Sequence, residues 1–226
     1  MKKSIEKPTI QFLANLVENN NREWFEQNKK RYDVARKDFL NFVDALIPGI
    51  AGFDEAAKDQ KAKDTVFRIY RDIRFSNDKT PYKNHFGSYI AEGGRKSIKP
   101  GYYLHISPGN KSFIAGGLWM PPAPELKAAR QEIDYNWEEF KGIIEDPSFK
   151  KLFNGVEGEK LKTTPKGYDA DNPAIEMLRY KSWNVSHTFT DKEVTSDDFL
   201  EKCLEIFEAM KPFNDFLKRA IEDVTV

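Results

Sequence analysis

The sequence predicts an α+β fold, an antiparallel sheet of about five strands with N-terminal and C-terminal helices packed on it. Three features carry that reading. Apolar residues keep a helical spacing up to Ile47, and they alternate from Thr65 onward. Helical spacing returns at the proline-rich "MPPAPE", where Pro124 suits a first helical turn. A last alternating segment, "SWNVSHTFT", then stands alone before a long amphipathic stretch.

The elements follow in order. Thr9 can cap a first helix that carries Phe12, Leu13, Leu16 and Val17 on one face. "NNN" at Asn19 to Asn21 breaks it and supplies the next cap. A second helix is expected from about Arg22 to Ile47, with Phe25, Tyr32, Phe39, Phe42, Val43 and Leu46 as its stripe and Pro48-Gly49 as its stop. Strands are expected near 65–75, 84–92, 101–107 and 112–119, forming a meander. "ELKAARQEI", "WEEFKGIIED" and a small "AIEMLRY" read as helices, the last capped by Asn172 with Pro173 behind it. Thr195 or Ser196 caps the final helix, in which Pro212 is a candidate kink.

Composition sets the outer bounds. Hydrophobic residues at 39% and aromatics at 13% can bury enough apolar area to offset ordering entropy, which argues against disorder. Residues 1–226 read as one domain. Lysine plus arginine equals aspartate plus glutamate, 36 each, which weighs against nucleic acid as a partner because bulk binding needs a positive excess. The single Cys203 excludes an internal disulfide and a multi-cysteine metal site. "MKKSIEKPTI" has no apolar region behind its basic start, and no run is long enough to span a bilayer. A cytoplasmic protein with no membrane partner is the expectation.

One stretch breaks the pattern. "RDIRFSNDKTPYKNHFGSYI" places Arg71, Asp72, Arg74, Asp78, Lys79 and Lys83 between two apolar segments. In a plain strand Arg71 would share the face of Phe67, Ile69, Ile73 and Phe75, which buries a guanidinium unless an acid pairs with it or a bulge turns it. If buried, such a pair would cost about 3–5 kcal/mol to break. Arginine forks and lysine point charges in such density suit phosphate or carboxylate. Asp72 and Asp78 can orient those cations, and Tyr82 can donate a hydrogen bond. His105 falls on the strand face of Tyr103, and Gly116-Gly117 inside a strand pattern marks a bulge or a close approach by backbone or ligand. The candidate ligand-binding set is therefore Arg71, Asp72, Arg74, Asp78, Lys79, Tyr82, Lys83, His105, Gly116 and Gly117, and its expected partner is an anionic small molecule.

The same residues resemble a known family. "RDIRFSNDKTPYKNHFG", with "NNREWFEQNKKRY", "GYYLHISPGNKSFIAGGLWMPP" and "PKGYDADNPAIEMLRYKSW", is similar to the signature of an uncharacterised bacterial and fungal family, domain of unknown function 2461. The resemblance covers most of the chain and implies a single domain. It transfers no activity, catalytic residue or cofactor.

Other constellations are weaker. His85, His105 and His187 sit on three expected strands, but their spacing does not require a metal. "GVEGEKLK" lacks the ending of a phosphate loop, and no cofactor is expected. Two function classes fit. One is a small-molecule enzyme or sensor acting on an anion. The other is a non-catalytic interaction module in which RDIRFSNDKTPYK is a structural clamp.

Overall fold

The computed structural model describes residues 2–222 and 224. The chain is α+β with one four-stranded antiparallel sheet. Helix α1 spans Lys7–Glu18, α2 Arg22–Gln27, α3 Lys29–Ala51 and α4 Ala62–Thr65. Strands β1 (Phe86–Ile90), β2 (Gly101–Ile106) and β3 (Ser112–Leu118) follow. Then come α5 (Ala123–Tyr135), α6 (Trp137–Glu145), α7 (Pro147–Leu152) and α8 (Ile175–Leu178). Strand β4 (Trp183–Phe189), α9 (Asp191–Val194) and α10 (Phe199–Glu222) complete the order. The strands lie in sequence order β1-β2-β3-β4, with short connections up to β3 and the helices α5 to α8 inserted between β3 and β4. Among the described residues no helix is long and apolar enough to cross a membrane.

Several boundaries differ from the sequence expectation: α1 begins at Lys7 behind Glu6, so Thr9 lies inside it, α8 starts behind Ala174 rather than Asn172, and Thr195 closes α9 while α10 starts at Phe199. Two further differences have a clear local reason. The stretch from Arg22 is two helices, because Asn28 leaves the helical region at φ −105° and ψ 14°. Its amide donates to Trp24 O at 2.9 Å, a side-chain bond that competes with the backbone ladder. Downstream, α3 runs through Pro48 to Ala51. Gly49 makes that possible, since a Cβ there would stand 2.5 Å from Leu204 Cδ2.

Contacts group the chain into two compact units. The first comprises the chain up to Arg95, Tyr103–Ile114 and Thr188–Glu205. Its core is aromatic: Phe39 stacks on Phe86 at 5.3 Å between centroids, and Phe42 on Phe199 at 5.1 Å. The second comprises Lys96–Tyr102, Ala115–His187 and the chain from Ile206. There Trp183 is fully buried with its indole N–H donating to Met177 O at 2.9 Å. Phe140 packs on Phe213 and Phe216 in the same unit, at 5.8 and 5.0 Å.

The expected strand at 65–75 is not a ladder. It is reduced to two antiparallel bridges, Val66 with Ser88 and Tyr70 with Tyr82. The Phe67 N–H donates to Gly87 O at 2.9 Å, and the Lys83 N–H to Ile69 O at 2.8 Å. Between these contacts Arg68 alone stands on one side, and Asn84, His85 and Phe86 on the other. The excess residues form an irregular bulge, which ends regular pairing and turns side chains out of the strand plane. Beyond Arg71, whose N–H still reaches Pro81 O at 3.0 Å, the chain leaves as a loop and returns at Thr80.

Candidate functional site

The bulge positions a cleft in the first unit. It has a volume of about 550 Å³, and Arg71, Asp72, Asp78, Tyr82, Lys83 and His85 stand among its lining residues. Asn20 fastens this edge to the turn between α1 and α2. Its amide N–H donates to Tyr82 O at 2.9 Å, and its carbonyl accepts from the Tyr82 N–H at 3.1 Å. One asparagine side chain thus replaces a missing strand partner for Tyr82. The Tyr82 ring is buried and stacks on Phe25 at 3.9 Å between centroids, with 13° between planes.

The loop that follows Arg71 is closed by its own charges. Arg71 Nη1 donates to Asp78 Oδ2 and, at 2.7 Å, to Thr80 Oγ1, while Nη2 reaches Ser76 Oγ at 3.4 Å. Asp78 Oδ1 accepts from the Thr80 N–H at 2.9 Å and from its hydroxyl at 2.8 Å. These bonds, with the Thr80 N–H first and Arg71 next, hold the Asp78 carboxyl down at about 2. Arg74 grips Asp72 with two parallel bonds, Nε to Oδ1 at 2.9 Å and Nη2 to Oδ2 at 2.6 Å. That pairing holds Asp72 at about 2. Lys79 turns back to donate to Ile73 O at 3.0 Å. Phe75 is left at the loop tip, 96% exposed.

The Arg71 question posed by the sequence has a definite answer. An acid pairs with it, and the pair is partly solvated, with side-chain exposures of 27% and 55%. The cost of a fully buried pair therefore does not apply. A solvated pair contributes about 0–1 kcal/mol.

Lys83 differs from the other cations of the motif. Among the described residues no carboxylate lies within ion-pair distance of it. Its ammonium stands 5.3 Å from the centre of the Phe67 ring. Burial pushes its pKa down, and the charge of Arg68 pushes it further the same way. Next to it His85 is held down to about 4, first by burial and then by Lys83 and Arg71. His85 stacks on His105, 4.1 Å between centroids, and His105 stacks on Phe113 at 4.5 Å. The Tyr103 hydroxyl lies 3.2 Å from His105 Nδ1. Burial and His85 hold His105 down to about 3. Gly87 leaves room for this arrangement, since a Cβ there would meet the Tyr103 hydroxyl at 2.9 Å.

Of the residues expected from sequence, Arg71, Asp72, Asp78, Tyr82 and Lys83 line the cleft together. Arg74, Lys79 and His105 are not among its lining residues, although His105 sits behind it through the His85 stack. Gly116 and Gly117 belong to the second unit and have packing reasons of their own. A Cβ on Gly116 would lie 3.0 Å from Met210 Sδ, and one on Gly117 would lie 2.0 Å from Trp183 O. His187 is also in the second unit, with Nδ1 2.8 Å from Leu152 O. Among the described residues no group of three or more histidine, cysteine, aspartate or glutamate side chains is placed to hold a metal ion.

Sequence reasoning did not assign His85, Asn20, Asn84 or Thr80 to the cleft. One signal was present for two of them. Between apolar Tyr82 and Phe86 stand three polar residues, Lys83, Asn84 and His85, where strict alternation leaves room for a regular in-out rhythm of single residues. Such a run between strand residues marks a bulge.

One comparison with known proteins agrees with the motif resemblance. No curated protein and no solved structure shows a match to the chain. A family model does, over residues 8–216, a span that includes the cleft and most of each compact unit. The chain therefore belongs to the family described as conserved hypothetical protein (DUF2461).

Proposed function

We propose that the cleft binds a small anion bearing a phosphate or carboxylate group. The observation that carries this reading is Lys83, a half-buried ammonium without a carboxylate partner in a cleft whose other cation, Arg71, still faces the same space. Desolvating a cation without a counter-charge is unfavourable, and a bound anion supplies the missing partner. The volume of about 550 Å³ suits a small metabolite rather than a polymer. Neutral His85 and Tyr82 at the wall can orient such a ligand by polar contacts.

Thermal melting against phosphate, sulfate, phosphosugars, nucleotides and dicarboxylates at constant ionic strength tests this. A ligand at 100 times its dissociation constant stabilises by about 2.7 kcal/mol. For a chain of this size that corresponds to a rise of roughly 5–11 °C. Lys83→Ala is expected to abolish the rise while the free protein stays folded. If no anion raises the wild-type midpoint, or if Lys83→Ala responds like wild type, the anion reading falls.

A second reading rests on a different observation. Among the described residues the Arg71 guanidinium donates to Asp78, Thr80 and Ser76, all within one loop. This supports the motif as a clamp that shapes the loop for a protein partner. Under that reading Arg71→Ala loosens the loop at a cost of about 1 kcal/mol or less in urea unfolding, and no anion shifts the melt.

A further inference from the structure

We propose that Lys83 is a nucleophilic amine that forms an imine with small oxo acids, compounds carrying a carbonyl next to a carboxylate or phosphate group. This rests on the anion reading and deepens it by naming the substrate class. A lysine attacks a carbonyl only as the free amine; Lys83 rests as the ammonium that pairs with a bound anion and attacks from its free-amine fraction, which desolvation and a second cation beside it enlarge. Lys83 is half-buried at the cleft wall with its nitrogen 5.3 Å from the centre of the Phe67 ring, and the charge that acts on it is that of another cation, Arg68. An acid beside the ammonium would defeat the arrangement by stabilising the charged form. Among the described residues none pairs with it, and the two acids of the cleft are engaged elsewhere, Asp72 by Arg74 and Asp78 by Arg71. The other lysine of the motif, Lys79, is exposed and bonded to Ile73 O, so it does not share these properties.

The chemistry balances without a co-reactant. The Lys83 nitrogen forms a bond to the carbonyl carbon, and the π pair moves to oxygen, which takes a proton shed by the nitrogen. The carbinolamine then loses its oxygen with a second proton as water, and the nitrogen lone pair closes the carbon–nitrogen double bond. One amine and one carbonyl give one imine and one water. Arg71 faces the same cleft and provides a guanidinium for the carboxylate or phosphate end of the substrate. Neutral His85 lines the wall and adds no positive charge that would oppose substrate release or compete for the anion.

Borohydride trapping followed by peptide mapping reads this directly. The intact protein is incubated with pyruvate, 2-oxoglutarate or dihydroxyacetone phosphate, and the hydride reduces any imine to a stable secondary amine. Adduct is expected on Lys83 at least tenfold above every other lysine, with succinate, which has no carbonyl, protecting it by competition. A second measurement needs no variant. Acetic anhydride labelling across pH is expected to show Lys83 becoming reactive at lower pH than the exposed Lys79. Adduct spread evenly over surface lysines, or none on Lys83, overturns the proposal, as does a Lys83 labelling curve that coincides with that of Lys79. If the anions of the melting panel stabilise the protein while trapping fails, the imine falls and the anion site stands. If both fail, both fall.

Discussion

Gly117→Ala is expected to destabilise the protein by roughly 3–5 kcal/mol, and Gly116→Ala, one residue away, by about 1 kcal/mol. The two glycines look alike in sequence and differ in kind. Gly117 has φ +123°, a backbone region that L side chains rarely adopt, and holding alanine there costs about 1–3 kcal/mol. The new methyl would also stand 2.0 Å from Trp183 O, 2.8 Å from Asn184 Cα and 3.0 Å from Trp183 C. All three are backbone atoms of β4, so relief requires moving a strand beside the buried Trp183. Overpacking of that kind adds about another 1–3 kcal/mol. At Gly116 the methyl would meet Met210 Sδ at 3.0 Å and the Asn214 amide at 3.1 and 3.2 Å. Those are ends of side chains, and a methionine thioether has three rotatable bonds with which to move aside. Urea unfolding of both variants reads the contrast. A Gly117→Ala midpoint as close to wild type as that of Gly116→Ala would show that the β3–β4 approach is not as tight as these distances require.

That contrast also shows where sequence reading stops. The pair "GG" within an alternating segment announces that something comes close, and something does at each position. Composition does not say whether it is a ligand, a side chain or a neighbouring strand, because the partners at 183, 210 and 214 are set by tertiary pairing. The local signals fared better. Asn21 does cap α2, its side chain accepting from the Trp24 N–H at 2.9 Å. The late alternating segment is β4, and Pro212 lies inside α10 as expected. Alternation marked extended chain correctly only between Val66 and Arg71, since Thr65 closes α4 and a loop follows Arg71, and even there the ladder failed. A strand needs a partner in register, and the bulge at Asn84 and His85 moves the register after only a few residues. The charged motif was legible as a cluster of cations and acids. How those charges divide was not, because two acids are satisfied within the loop and only the geometry leaves Lys83 without one.

Acid is expected to unfold the protein earlier than its carboxylates alone require, through the stacked pair His85 and His105. Each imidazole is half-buried and faces cations or another ring rather than an acid: His85 faces Lys83 and Arg71, and His105 lies between His85, Phe113 and the Tyr103 hydroxyl. Their folded values, about 4 and about 3, lie below the ordinary value of 6.5. The unfolded chain therefore takes up protons from about pH 6.5 downward while the folded chain does not. Stability is full above pH 6.5 and falls as the pH drops, by up to about 1.4 kcal/mol per pH unit for each ring. Between pH 6 and pH 4 the pair removes roughly 4–5 kcal/mol, a large part of the 5–15 kcal/mol that holds a typical domain folded. Asp72 and Asp78 act in the same direction but later, since their carboxyls, held at about 2, start to cost stability only below the unfolded value near 4. The window from pH 6 to 4.5 thus belongs to the histidines. Urea unfolding across that window is expected to give a steep wild-type slope, roughly halved in His105→Phe and roughly halved in His85→Gln. His105→Phe keeps the ring stack and loses only the contact with the Tyr103 hydroxyl, about 1 kcal/mol at every pH, which shifts the line without changing its slope. Equal slopes in wild type and both variants would mean that the rings meet solvent freely enough to protonate in the folded state, and the desolvated wall behind the cleft would have to be given up.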